Sequence, residues 1–156
     1  MKKNILGVLF ICSAAFLNAG INNVHQVEEK KTYHEFVGEH LMANYMDCDT
    51  FALNDLESLK EVMKRAATEA GATVLHVSEH IFEPNGFSMI ILLSESHASI
   101  HTYPEYNSCF VDFFTCGTSC FPKEFNKALK KYLKPKKTSS KLFLRDVDFM
   151  EKIIAN

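Results

Sequence analysis

The chain has no excess of charge of either sign: 17 Lys and Arg against 19 Asp and Glu leave a formal net charge of −2. Its basic residues form no stripe. Their one cluster, Lys130, Lys131, Lys134, Lys136 and Lys137, gathers round the end of an expected helix, where positive charge complements the helix dipole. A nucleic-acid partner is therefore not expected. Five cysteines, Cys12, Cys48, Cys109, Cys116 and Cys120, make no disulfide framework by count, although removal of a leader would leave four and make pairing conceivable. Nor does any apolar run reach the roughly 20 residues that a membrane span needs. Tryptophan is absent, which leaves the aromatic work to 13 Phe and 5 Tyr, and no internal repeat is evident.

What is present suits one globular domain: 156 residues, 47% apolar and 23% charged, are enough for a hydrophobic core. Lys2 and Lys3 precede an apolar run from Ile5 to Leu17, and Leu17-Asn18-Ala19 would suit a signal peptidase. Residues 1–19 thus resemble a secretory leader, with a membrane-tethering or simply extended N-terminus as the alternatives, and Cys12 lacks the preceding small residue of a lipoprotein signal. Residues 20–33 read as a polar linker, and 34–156 as the folded domain.

Within that domain Phe36 to Tyr45 alternates like a strand. Asn54 with Glu57 three residues on predicts a capping box. Leu56, Leu59, Val62, Met63, Ala66, Ala67 and Ala70 follow at helical spacing, and Gly71 stops the helix. Strands are expected over Ala72 to His80, Phe87 to Leu93, Ser99 to Tyr103, Ser108 to Thr115 and Lys141 to Val147. The Glu83-Pro84-Asn85-Gly86 stretch supplies a hairpin turn. A second helix is expected from Pro122 to Leu133, burying Phe125, Leu129, Tyr132 and Leu133, and a short one from Phe149 to Ile154. The order β-α-β-β-β-β-α-β predicts an α+β fold, a two-layer sandwich with helices on one face of a mostly antiparallel sheet.

The stretch LSESHASIHTYPEYNSCFVDFFTCG, Leu93 to Gly117, carries more reactive side chains than a strand region needs. His97 with His101 and Cys116 with Cys120 are each four apart and could supply zinc ligands, though not at the usual knuckle spacing. Cys116 with a histidine base could be a nucleophile. Cys109 and Cys116 could equally be small buried hydrophobes. Composition and spacing leave these readings open.

The series ESH, IHT, PEY, VD and FTCG resembles the processing-site signature of the small prokaryotic S-adenosylmethionine decarboxylases. The resemblance continues upstream through GEHLMANYMDCD and EAGATVL and downstream to about Val147. It implies a proenzyme that cuts itself between Glu95 and Ser96 and turns Ser96 into a covalent pyruvoyl group, with no metal. By the same resemblance His101 is the base of that reaction, Ser88 assists it, and Cys116 is the proton donor of the mature decarboxylase. The pyruvoyl ketone would be the electron sink, joined to the substrate amine as a Schiff base. Substrate binding is implied for Phe82, Glu105, Tyr103 and Phe36, with Tyr103 standing where many relatives carry tryptophan. The resemblance also implies a homodimer and S-adenosylmethionine as substrate, decarboxylated for spermidine synthesis. Alternatives are a pyruvoyl enzyme acting on arginine or ornithine, and a non-catalytic homologue. S-adenosylmethionine is a cytoplasmic metabolite, so a cytoplasmic site of action is expected, in conflict with the leader-like N-terminus.

Overall fold

The computed structural model describes residues 36–146. The leader expected over 1–19, the linker over 20–33 and the helix over Phe149 to Ile154 lie outside the described residues. Along the chain come β1 (Gly38–Met46), α1 (Thr50–Asn54), α2 (Leu56–Glu69), β2 (Val74–Ile81), β3 (Phe87–Leu93), β4 (Ser96–Tyr103), β5 (Ser108–Cys116), α3 (Pro122–Leu133) and β6 (Lys137–Arg145). A single 3-10 turn, Pro104–Tyr106, joins β4 to β5.

The strands form one sheet in the order β2-β3-β4-β5-β1-β6, and each neighbouring pair is antiparallel. Side chains alternate across a strand, so odd-numbered residues of β1, β3 and β5 share one face with even-numbered residues of β4. That shared face is the core: Leu41, Ala43 and Tyr45, then Phe87, Met89, Ile91 and Leu93, Ala98 and Ile100, and Cys109, Val111 and Phe113 are all buried. α2 and α3 close it with Leu59, Val62, Met63, Ala66 and Ala67 from one and Phe125, Leu129 and Leu133 from the other, while Tyr132, expected to be buried with them, is only partly covered. Phe113 stacks on Phe125 with centroids 4.2 Å apart, joining sheet to helix layer. The Tyr45 hydroxyl, buried under α3, donates to Asn126 Oδ1. The expected α+β two-layer architecture is thus what the chain adopts.

Several boundaries differ from expectation, each for a local reason. Asn54 ends α1 instead of capping α2; the cap is Asp55, whose Oδ1 accepts from the Ser58 backbone N–H at 3.2 Å. α1 itself was hidden because its five residues are too few to show a period, and Asp49 caps it through the Ala52 N–H at 3.0 Å. β4 begins at Ser96, three residues early, because pairing with β3 and β5 overrides a polar sequence. β6 likewise begins at Lys137: it is an exposed edge strand held to β1 by backbone bonds, so hydropathy says little about where it starts.

Truncating Phe113 to Ala should cost about 3–5 kcal/mol of unfolding free energy in urea titration. Asp55→Ala should cost about 1 kcal/mol and Asn54→Ala less, since only Asp55 caps a long helix. The reverse order of the two cap variants would contradict the assignment.

Candidate active site

The sheet face turned away from the described helices gathers what the core side excludes. By alternation it carries His76, Ser78 and His80 of β2, Ser88, Ile90 and Leu92 of β3, and His97, Ser99, His101 and Tyr103 of β4. β5 adds Phe110, Asp112, Phe114 and Cys116, and β1 adds His40, Met42, Asn44 and Met46. Ile90, Leu92 and Phe110 are each about half exposed here. Cys109 and Cys116 are seven residues apart on β5, so they point to opposite faces: Cys109 is a buried core thiol and Cys116 is exposed. The bland reading of these cysteines holds for Cys109 only.

At one end of this face β3 and β4 meet in a two-residue turn, Ser94 and Glu95, with Leu93 paired to Ser96. The Glu95–Ser96 peptide therefore sits at the mouth of a tight hairpin. The Glu95 carbonyl oxygen accepts the Cys116 backbone N–H at 2.8 Å, and its carboxylate Oε2 accepts the Thr73 N–H at 2.9 Å. Ser96 has φ = 153°, a region that residues with a side chain avoid at a cost on the order of 1–3 kcal/mol. Its Oγ lies 3.6 Å from Cys116 Sγ. Phe36 belongs to the same end: the neighbouring Val37 carbonyl accepts the Gly117 N–H at 3.3 Å, and Phe36 is 82% exposed.

At the other end Ser88 and His101 are cross-strand partners, and Ser88 Oγ lies 2.7 Å from His101 Nδ1. Tyr103 ends β4 and packs edge-on to Phe110, with Glu105 exposed on the 3-10 turn just beyond. Phe82 flanks this end from the β2–β3 turn, where its N–H donates to the Gly86 carbonyl at 2.9 Å. The residues singled out in the sequence thus fall into two groups, Phe36, Glu95, Ser96 and Cys116 against Phe82, Ser88, His101, Tyr103 and Glu105. Ser96 and His101 are five positions apart, about 17 Å along β4. Within one protomer the His101 imidazole does not meet the Ser96 peptide.

Between the groups lies a polar cluster to which sequence reasoning assigned no role, although GEH, ESH and VD were among the motifs it used. His40 Nε2 is 3.5 Å from Asp112 Oδ1, and Ser99 Oγ donates to Asp112 Oδ2 at 3.5 Å. His40 and His97 both pack on the Phe114 ring, and Arg145 covers that ring at 4.3 Å. Burial holds the His40 pKa below its ordinary value despite the Asp112 carboxylate beside it. The Cys116 N–H on the Glu95 carbonyl was also missed; a backbone contact between distant residues leaves no mark in side-chain identity. Among the described residues no group of three or more His, Cys, Asp or Glu is placed to hold a metal, and no helix is long and apolar enough to cross a membrane.

A hydroxyl next to a thiol, behind a carbonyl already held by an amide, is an arrangement suited to making and breaking bonds. Fold and face together define the class as an enzyme built on the open side of an antiparallel sheet. The family model for S-adenosylmethionine decarboxylase matches residues 39–146. The S-adenosylmethionine decarboxylase proenzyme of Thermotoga maritima is 42% identical over 101 residues, 65% of this chain and 78% of the relative. That of Prochlorococcus marinus is 42% identical over 110 residues, 70% of this chain and 88% of the relative. The crystal structure of the adenosylmethionine decarboxylase from Aquifex aeolicus superposes with a TM-score of 0.66 at 27% identity, covering 72% of this chain and 93% of that one. The chain belongs to the S-adenosylmethionine decarboxylase family.

Gly38 offers a direct test of how tightly this face is packed. A Cβ there would come 2.7 Å from Phe114 Cε2, so the ring lies in the space that a side chain would fill. Gly38→Ala should push Phe114 from under Arg145 and cost about 1–3 kcal/mol in thermal or urea unfolding. An unchanged stability would mean that the ring moves freely.

Proposed function

We propose that this chain cuts itself between Glu95 and Ser96, converts Ser96 to a pyruvoyl group, and then decarboxylates S-adenosylmethionine to the aminopropyl donor for spermidine. The observation that carries the reading is the Cys116 N–H on the Glu95 carbonyl at 2.8 Å, with the strained Ser96 next in the chain. That amide polarises the carbonyl and would hold the oxyanion formed when Ser96 Oγ attacks the carbonyl carbon. That oxyanion then collapses, breaking the C–N bond while the hydroxyl proton passes to the departing nitrogen, which turns amide to ester and frees Ser96 from its disfavoured φ. A base next removes the Ser96 α-proton, the ester C–O bond breaks, and Glu95 leaves as the new C-terminal carboxylate. The dehydroalanine tautomerises, and water hydrolyses it with release of ammonia. The residues at this end fit such a group, because the chemistry needs a serine hydroxyl, a polarised carbonyl before it and no further cofactor.

His101 is the base in this reading, its ring oriented by the hydrogen bond between Nδ1 and the Ser88 hydroxyl. Since His101 and Ser96 lie about 17 Å apart on one strand, the reading requires a homodimer with the two open faces packed against each other. An antiparallel arrangement brings the Ser96 end of one protomer to the His101 end of its partner. The half-exposed Ile90, Leu92 and Phe110 would be covered in the same contact.

Once formed, the pyruvoyl ketone supplies the sink for the electrons left when carbon dioxide departs. Cys116, whose Sγ is 3.6 Å from the Ser96 side chain, is placed to give a proton at the substrate α-carbon. Phe82 and Phe36 would supply ring faces for the adenine and the sulfonium, and Glu105 would accept the ribose hydroxyls. Because S-adenosylmethionine is cytoplasmic, the enzyme acts in the cytoplasm. Fractionation that finds a periplasmic protein starting near Gly20 would overturn that placement.

Denatured mass should resolve two chains split at Glu95–Ser96, the smaller one blocked by a carbonyl that borohydride reduces; a single uncut chain would refute the reading. Ser96→Ala should stay whole. Cys116→Ala, if cut, should release carbon dioxide from S-adenosylmethionine about 10²–10⁴ times more slowly. Faster turnover of arginine or ornithine by the unmodified protein would reassign the substrate.

Co-expressing differently tagged Ser96→Ala and His101→Ala chains tests the dimer. Each is expected to stay whole alone, and together the His101→Ala chain should be cut. If neither is cut in the mixture, the two groups do not meet across protomers.

A further inference from the structure

β2 contributes His76, Ser78 and His80 to the open face, and the last of these has no place in the chemistry above. His80 is the cross-strand partner of Ser88, and Ser88 is the partner of His101, so the three residues form one row across β2, β3 and β4. In the other direction the His80 imidazole makes a T-shaped contact with the Phe82 ring, with centroids 4.5 Å apart and planes at 77°. Phe82 stands just past the end of β2, in the loop closed by its own N–H on the Gly86 carbonyl. Gly86 sits beside it at ordinary contact distance: a Cβ on Gly86 would lie 3.5 Å from Phe82 Cβ. Nothing else aromatic among the described contacts touches Phe82, and the residue remains 48% exposed.

An exposed phenylalanine at a loop entrance samples several rotamers unless something holds it, and losing that freedom is part of the cost of binding a flat ligand. We propose that His80 is a positioning residue for substrate binding, which fixes the Phe82 ring so that its free surface is ready to stack on the purine of an adenine nucleoside. A T-shaped pair is worth enough to decide between rotamers, and the ring, 48% exposed, keeps free surface for a ligand. The inference rests on the reading of Phe82 as the adenine-stacking side chain. It adds which residue determines how well that stack is prepared.

His80→Ala in the full chain should be cut at the normal rate. The cut enzyme should show a KM for S-adenosylmethionine raised about tenfold, with kcat within about twofold of the unmodified enzyme. The Kd for 5′-methylthioadenosine, which carries the adenine and ribose without the amine or carboxylate, should weaken by a similar factor in calorimetry. His80→Phe, which restores a ring against Phe82, should recover most of both. On a Phe82→Ala background, His80→Ala should add nothing, because the two residues act as one unit.

Raised KM for Phe82→Ala with no effect of His80→Ala would refute the proposal and leave the stacking reading standing. No effect of either variant would refute the stacking reading itself. Loss of cutting in His80→Ala, or a fall in kcat at constant KM, would place His80 with Ser88 and His101 instead and would equally overturn the proposal.

Discussion

The site depends on the register of β4 between its two neighbours. Leu93 opposite Ser96 sets a two-residue turn, and Ser96 opposite Thr115 sets Cys116 one residue beyond, where its amide reaches the Glu95 carbonyl. The same register, read from the other end of the strand, puts Ser88 opposite His101. A slip of one residue would send every side chain of β4 to the other face. Ala98, Ile100 and Thr102 would then leave the core and His101 would enter it. The buried half of the strand thus holds the chemical half in place.

Much of this was legible in the sequence where hydrophobic period and turn chemistry agreed. α3 runs from Pro122 to Leu133 as expected, and α2 buries the anticipated stripe up to the stop at Gly71. Gly71 is confined to glycine twice over, by φ of 92° and by the Ser119 carbonyl 2.5 Å from where a Cβ would stand. What escaped was set by partners distant in sequence. Polar residues at the starts of β4 and β6 carry no strand signal of their own, and the cap on Ser58 passed from Asn54 to Asp55 because α1 occupies the preceding residues. Of the candidate site residues, each could be named from motifs, yet their division into two groups could not. That division follows from counting residues along a strand whose ends are known only once its pairing is known.

The open face also explains a composition that looked unremarkable. A sheet covered on one side by helices ordinarily turns polar residues to water on the other. Here that face instead mixes Ile90, Leu92, Phe110 and Met42 with His40, His97, His101 and Asp112. Its aromatic rings are not idle surface: Phe114 lies in the gap left by Gly38, carries Arg145 over its face, and is the ring on which both His40 and His97 pack. Such a face has the apolar area for a partner and the polar groups for chemistry, and neither purpose requires a deep cleft in the single chain.

The strand order has one more consequence for a chain severed at the Glu95–Ser96 hairpin. The upstream piece owns β1, β2 and β3, the downstream piece β4, β5 and β6, yet β1 lies between β5 and β6. The fragments are therefore interleaved: β3 is stitched to β4 at one seam, and β1 is stitched on both of its edges to strands of the other fragment. Neither piece can depart without unzipping three ladders and opening the shared core. Breaking that peptide would free a chain end at the hairpin and still leave the two polypeptides woven into a single fabric.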